Sequence, residues 1–243
     1  MLKQIVQSCL GSIGFELRRV HKHRGDDPFV YMKAALRDTT VPTIFDVGAN
    51  VGQSLTTFRR QWPESMIHAF EPGRSSFAAL ERMADGLRGV VLNQCALAGS
   101  AGSRSFLENS QSDMSSFLET SVEGWGETVA SYEVPTTTVD QYLAEHSIDR
   151  IHLLKIDTQG FDVPVLEGAA ASFRDHRVLF VFLELIFADL YRGQSRVDDV
   201  FRFLLDYGMR LVGIYNFHFH GEYAGWADAL FVDPRAAATY RQV

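Results

Sequence analysis

Six consecutive apolar residues, Val178–Leu183, constrain this 243-residue chain more than any other stretch. A strand with one face in water alternates apolar and polar residues, because successive side chains point to opposite faces. An unbroken run rich in β-branched and aromatic residues is a strand covered on both sides, as in a parallel sheet sandwiched between helices. The flanking sequence supplies those helices. Thr43–Val47, Met66–Phe70, Gly89–Leu97 and Ile151–Ile156 read as further strands. Val51, Leu55, Phe58 and Trp62 follow at helical spacing, as do Phe77, Leu80, Met83 and Leu87. Residues 162–173 read as a helix that tolerates Pro164 because it lies in the first turn. Val197, Val200, Phe201 and Leu204 mark another helix, stopped by Gly208. No helix separates Met209–Tyr215 from Ala227–Val232, so these two strands pair antiparallel.

The alternation predicts an α/β fold with a doubly wound, mostly parallel seven-stranded Rossmann-like sheet and an antiparallel last strand. Residues 1–24 form an amphipathic leader, with Leu2, Ile5, Val6, Cys9, Leu10, Ile13, Leu17 and Val20 at near-helical spacing. Residues 25–243 are one domain, with a polar, serine-rich hairpin or lid inserted at about 98–137. Thr138 and Gln141 have the spacing of a capping box at a helix start.

Formal net charge is −7, which argues against a nucleic-acid partner. Arg18, Arg19, His21, Lys22, His23 and Arg24 cluster all the same. Such a cluster is either a solvated turn or a peripheral contact with a membrane surface or anionic glycolipid. The two cysteines, Cys9 and Cys95, have neither disulfide-framework nor metal spacing, and no run of about 18 apolar residues exists. The expected setting is the cytoplasm, at most membrane-peripheral.

The chemistry concentrates where strands end. The loop DVGANVG (46–52) follows a strand and opens a helix. Its glycines allow a tight turn and close approach of backbone to a ligand. The spacing is not the G-x-G-x-x-G of a dinucleotide site. Glu71, 19 residues beyond Gly52 at the end of the second strand, can accept from two hydroxyls of a ribose. Together these point to S-adenosyl-L-methionine, with Asp46, Gly48, Asn50, Gly52, Glu71, Pro72, Asn93 and Ala96 as cofactor-binding candidates. Asp157 ends the fourth strand and Glu184 the fifth, at the edge where open α/β sheets bind ligands. Asp157 could instead cap a helix, and Glu184 could instead pair with Lys155 or an arginine. His218 and His220 follow the sixth strand and are either exposed loop residues, a base or a metal pair. As proton acceptor, Asp157 ranks first, the histidines second and Glu184 third. No H-x-x-x-H or paired-aspartate motif supports a metal site at this edge, so a metal-free mechanism is the expectation. A nicotinamide-dependent oxidoreductase and a non-catalytic scaffold are the alternatives.

Five stretches carry a resemblance to the FkbM family of methyltransferases: IFDVGANVGQS (44–54), HAFEPG (68–73), NQCAL (93–97), LLKIDTQGFDVPVLEGA (153–169) and FLELI (182–186). The sequence departs from the family pattern at Gln159 and Asp162, where two glutamates are expected. The resemblance implies O-methylation of a sugar hydroxyl in a glycan, glycolipid or natural product. Oligomeric state is left open.

Overall fold

The computed structural model describes residues 27–235. The leader and its basic cluster lie outside the described residues. The described residues open on a helix the sequence reading missed, α1 (Pro28–Ala35), with Asp27 accepting from the Phe29 amide at 2.9 Å and proline in its first turn. It then runs β1 (Thr43–Val47), α2 (Gln53–Gln61), β2 (Met66–Phe70), α3 (Arg74–Ala84) and β3 (Val90–Asn93). Strands β4 (Ala96–Leu97), β5 (Gly102–Asn109) and β6 (Thr128–Thr137) lead to α4 (Val139–Glu145) and β7 (Ile151–Ile156). Helices α5 (Asp162–Glu167) and α6 (Ala170–Arg174), strand β8 (Val178–Ile186) and helix α7 (Val197–Asp206) follow, and then the hairpin β9 (Arg210–His220)–β10 (Tyr223–Val232).

Seven strands form one sheet in the order β3-β2-β1-β7-β8-β10-β9. The pairs β3–β2, β2–β1, β1–β7 and β7–β8 are parallel, and β10 runs antiparallel to both β8 and β9. This is the predicted α/β class. Val178–Val181 and Leu183 are buried, as a strand covered on both faces requires. One face packs Phe45, Leu154 and Val181 against α4 to α7; the other packs Ile44, Leu153 and Phe180 against α1 to α3.

Two elements read as continuous are divided, and the last two strands are longer than read. The predicted strand Gly89–Leu97 breaks after Asn93, and Ala96–Leu97 joins a second sheet of order β4-β6-β5. The helix read over 162–173 is two helices, α5 and α6, divided at Gly168 and Ala169. A Cβ at Gly168 would lie 2.1 Å from the Ala98 carbonyl oxygen, so β4 and the helix break need each other's position. The capping box is half formed. Thr138 Oγ1 accepts from the Gln141 amide at 3.0 Å, but the Gln141 side chain donates forward to Glu145 at 2.8 Å. Within residues 98–137, β5 and β6 pair antiparallel, and the stretch between them, 110–127, is largely irregular. Glu108 of β5 accepts from the Ser75 amide and from the Tyr132 hydroxyl, which ties this second sheet to the start of α3. Among the described residues no helix is long and apolar enough to cross a membrane.

Candidate active site

Parallel strands end on one edge of the sheet, and β1 and β7 lie side by side although their sequence positions differ by about a hundred residues. Helices leave neighbouring strands toward opposite faces at such a switch point, which opens a crevice. A cavity of about 300 Å³ occupies this edge. Val47, Gly48 and Asn50 line it from the end of β1, Glu71 and Pro72 from the end of β2, Asp157–Gln159 from the end of β7, and Glu184 from β8.

The turn after β1 is shaped by contact with β7. Gly48 has φ +74, and an added Cβ would sit 1.9 Å from the Asp157 carbonyl oxygen. The Gly48 and Ala49 amides both donate to the Phe70 carbonyl at 3.0 Å, which carries the turn toward β2. Glu71 then receives the Asn50 amide on Oε2 at 2.8 Å and the Gly73 amide on Oε1 at 2.7 Å. Burial pushes its carboxyl up to about 7, against the pull of those two amides. Asn50 lines the same cavity, and its Oδ1 is buried with no hydrogen-bond partner.

Beneath the turn lies a buried ion cluster. Asp46 is fully buried, and Lys155 Nζ lies 3.1 Å from its Oδ1, 3.4 Å from Asp157 Oδ2 and 3.0 Å from the Gly48 carbonyl oxygen. Burial works to lower the Lys155 pKa, but the carboxylates of Asp46 and Asp157 outweigh it and hold it raised. Burial raises Asp46, with Lys155 opposing. Gln159 Nε2 donates to Asp157 Oδ1 at 2.8 Å and to Glu184 Oε2 at 3.3 Å.

Of the residues singled out in the sequence, Gly48, Asn50, Glu71, Pro72, Ala96, Asp157 and Glu184 line the cavity. Asp46, Gly52, Asn93, His218 and His220 do not line it. Asp46 sits below, as the partner of Lys155. Gly52, with φ +96, starts α2. Asn93 backs the wall: its amide donates to the Ala69 carbonyl at 3.2 Å, and its Oδ1 accepts from Tyr142. The histidines do not follow β9 but belong to it, because the alternation of aromatic and histidine side chains continues the strand period. His218 stacks on Trp226 at 5.3 Å between ring centroids and His220 on Trp125 at 6.3 Å, while the two tryptophans lie 5.8 Å apart. Both tryptophans line the cavity. The sequence reading missed Trp125 and Trp226; it named Lys155 only as a possible partner of Glu184, whereas Lys155 pairs with Asp46 and Asp157, and Gln159 only as a departure from the family pattern. A Gly-Trp-Gly triplet in a polar segment (124–126) was a usable sign for Trp125. Among the described residues no group of three or more His, Cys, Asp or Glu is placed to hold a metal ion.

The Methyltransferase FkbM domain matches residues 46–211, well over half of the chain and the whole of the cavity's strand edge. The chain belongs to the FkbM methyltransferase family. Among curated proteins the chain is similar to Methyltransferase sdnD of Sordaria araneosa, 30 % identical over 52 % of this chain and 60 % of that protein. Methyltransferase 1 of Beauveria bassiana (strain ARSEF 2860) is 25 % identical over 51 % of this chain and 57 % of its own length. The 2-O-methyltransferase NoeI of Sinorhizobium fredii (strain NBRC 101917 / NGR234) is 24 % identical over 63 % of this chain and 67 % of its own. The chain thus spans less than two thirds of the first two relatives. FkbM membership removes the support for a nicotinamide-dependent enzyme.

Proposed function

We propose that this FkbM protein is an S-adenosylmethionine-dependent O-methyltransferase whose acceptor is a sugar hydroxyl in a glycan, glycolipid or natural product. One observation carries the reading: a buried carboxylate held by two backbone amides, Glu71, and two further carboxylates, Asp157 and Glu184, line a single cavity. The residues fit the cofactor. Glu71 is fixed by two backbone amides before any ligand arrives, and its remaining lone pairs suit ribose hydroxyls. The unpartnered Asn50 Oδ1 suits the amino group of the methionine part. When bound, S-adenosylmethionine supplies an electrophilic methyl carbon. The protein's own residues orient the acceptor, exclude water and receive its proton. The flat faces of Trp125 and Trp226 in the cavity wall suit the apolar face of a sugar ring. The name of NoeI as a 2-O-methyltransferase agrees with hydroxyl chemistry.

The binding test is calorimetric. Glu71→Ala is expected to weaken S-adenosylhomocysteine by roughly 1.5–3 kcal/mol for each hydrogen bond to a charged group that is lost. A pH dependence follows from the raised carboxyl. In the ligand-free fold Glu71 holds its proton up to about pH 7. Ribose hydroxyls bind the anion, so below that pH ligand binding expels a proton. The wild-type dissociation constant should therefore rise by up to about tenfold per pH unit as pH falls below the folded-state value. It should be flat in Glu71→Gln. The same linkage makes the free fold less stable as pH rises from the ordinary glutamate range to about 7, because the folded state holds the proton more tightly. A wild-type affinity that does not change between pH 6 and pH 8 would remove Glu71 from the ribose site.

The acceptor test uses Trp226→Ala with a panel of methyl glycosides and measures S-adenosylhomocysteine release. The acceptor KM should rise about tenfold or more, the size of one lost aromatic contact of roughly 0.5–1.5 kcal/mol plus its buried area, with kcat less affected. An unchanged KM would argue against a sugar stacked on this wall.

A further inference from the structure

We propose that Glu184, not Asp157, takes the proton of the acceptor hydroxyl, and that Gln159 is the positioning residue that separates the tasks of the two carboxylates. The inference rests on the methyl-transfer reading above.

The geometry distinguishes the two acids. Both oxygens of Asp157 are engaged, Oδ1 by the Gln159 amide at 2.8 Å and Oδ2 by Lys155 at 3.4 Å. Lys155 is itself pinned by Asp46 and the Gly48 carbonyl. Asp157 is therefore built into the support of the turn after β1, and accepting a proton would undo an ion pair. Glu184 is held by one longer contact, 3.3 Å from Gln159 to its Oε2. Its Oε1 accepts no hydrogen bond among the described residues, and the residue faces the cavity.

Gln159 cannot choose its orientation. The Tyr191 hydroxyl, wholly buried, donates to its Oε1 at 2.8 Å, so the amide nitrogen is the end that meets the carboxylates. The Gln159 backbone is in the left-handed region at φ +53, with its carbonyl receiving Ser116 Oγ at 2.8 Å. One neutral amide thus supplies a hydrogen to each of two acids. A glutamate here, as the family resemblance leads one to expect, would add a third negative charge and no donor.

The charges around Glu184 favour the same division. Asp157 from the end of β7, Asp162 from the start of α5 and Asp228, its register partner on β10, are all acidic, and Lys155 is the opposing cation. Asp113 lines the cavity from the 110–127 segment. Burial, then Asp157, Asp162 and Asp228, hold the Glu184 carboxyl well above the ordinary glutamate range. Burial and Glu184 push the Tyr191 hydroxyl up, which keeps it a donor. A base whose affinity for protons lies nearer neutrality transfers them more effectively. In the step, the acceptor O–H bond breaks, the proton bonds to a Glu184 oxygen, and the electron pair stays on the acceptor oxygen as the nucleophile. The proton later leaves to water, which restores the carboxylate.

Carboxyl-carbon NMR of the full chain labelled at glutamate Cδ tests this without an acceptor. One glutamate resonance beyond that of Glu71 should titrate above the ordinary range and vanish in Glu184→Gln. It should move upward by about one pH unit in Gln159→Met, which keeps an unbranched chain but has no donor. Tyr191→Phe should move it in the same direction, because the amide loses the partner that orients it. A purely structural role for Gln159 would leave the resonance in place. A Glu184 midpoint in the ordinary range, or one unmoved by both variants, overturns the proposal. Calorimetry with S-adenosylhomocysteine separates the two readings: no binding to the wild type would sink the methyl-transfer function, while the titration result would still decide the pair.

Discussion

Gly48→Ala is expected to cost more than about 4 kcal/mol of stability, the range reserved for a named structural break. The new Cβ would lie 1.9 Å from the Asp157 carbonyl oxygen and 2.9 Å from its carbonyl carbon. Neither atom is the mobile end of a side chain. Both belong to the backbone just beyond β7, whose Asp157 amide donates to the Val47 carbonyl at 3.0 Å in the middle of the sheet. Relief would require β1 and β7 to part where Lys155 also ties them together. The backbone at φ +74 adds a penalty of roughly 1–2 kcal/mol for any side chain. Gly86→Ala is the matched control: φ is +75 but nothing lies within 4 Å, so only that backbone penalty remains. Denaturant midpoints of the two variants give the comparison. A Gly48→Ala protein as stable as Gly86→Ala would mean that β1 and β7 do not approach as closely as described.

Glu184→Gln should lower turnover by about 10²–10⁴, the usual loss for a general base. S-adenosylhomocysteine affinity should hold, because Glu71 and Asn50 are untouched. Asp157→Asn has a different expected profile. Removing the acid beside Glu184 should lower the affinity of Glu184 for its proton, so the acidic limb of the pH–rate profile should move to lower pH while a smaller share of turnover is lost. The measurement is product release against pH for both variants with one accepted glycoside. If Asp157→Asn loses as much as Glu184→Gln and its profile does not move, Asp157 returns to first rank. Removal of divalent ions with EDTA in the same assay should leave wild-type turnover intact, and restoration by magnesium after a loss would show a metal-assisted reaction.

Much of this molecule could be read along the chain. The sheet followed from local patterns, because a strand buried on both faces must be apolar throughout and a helix must repeat its apolar residues every three or four. Gly48, Asn50, Glu71, Asp157 and Glu184 were legible for a related reason. Each directly follows a strand or lies near its end, and parallel strands bring their carboxyl ends to one edge whatever their order in sequence. The helix α1 was missed because eight residues between a turn and a loop give too little period to see.

What the sequence determined by itself was thus the class of fold, the edge that carries the site and the acidic residues at that edge. Only the tertiary structure decided which side chain meets which. Asp46 sinks beneath the turn, because a charged residue on a central strand is tolerated only with a buried partner, and Lys155 on the neighbouring strand supplies it. His218 and His220 stack behind two tryptophans, because β9 runs on to His220 and carries them past the strand ends. Trp125 reaches the cavity from a polar segment, and Tyr191 orients Gln159 from 32 positions away. The spacing of residues records which face of an element is buried. It does not record what distant side chain fills that space, and that choice sets hydrogen-bond direction, burial and so the affinity of each acid for its proton.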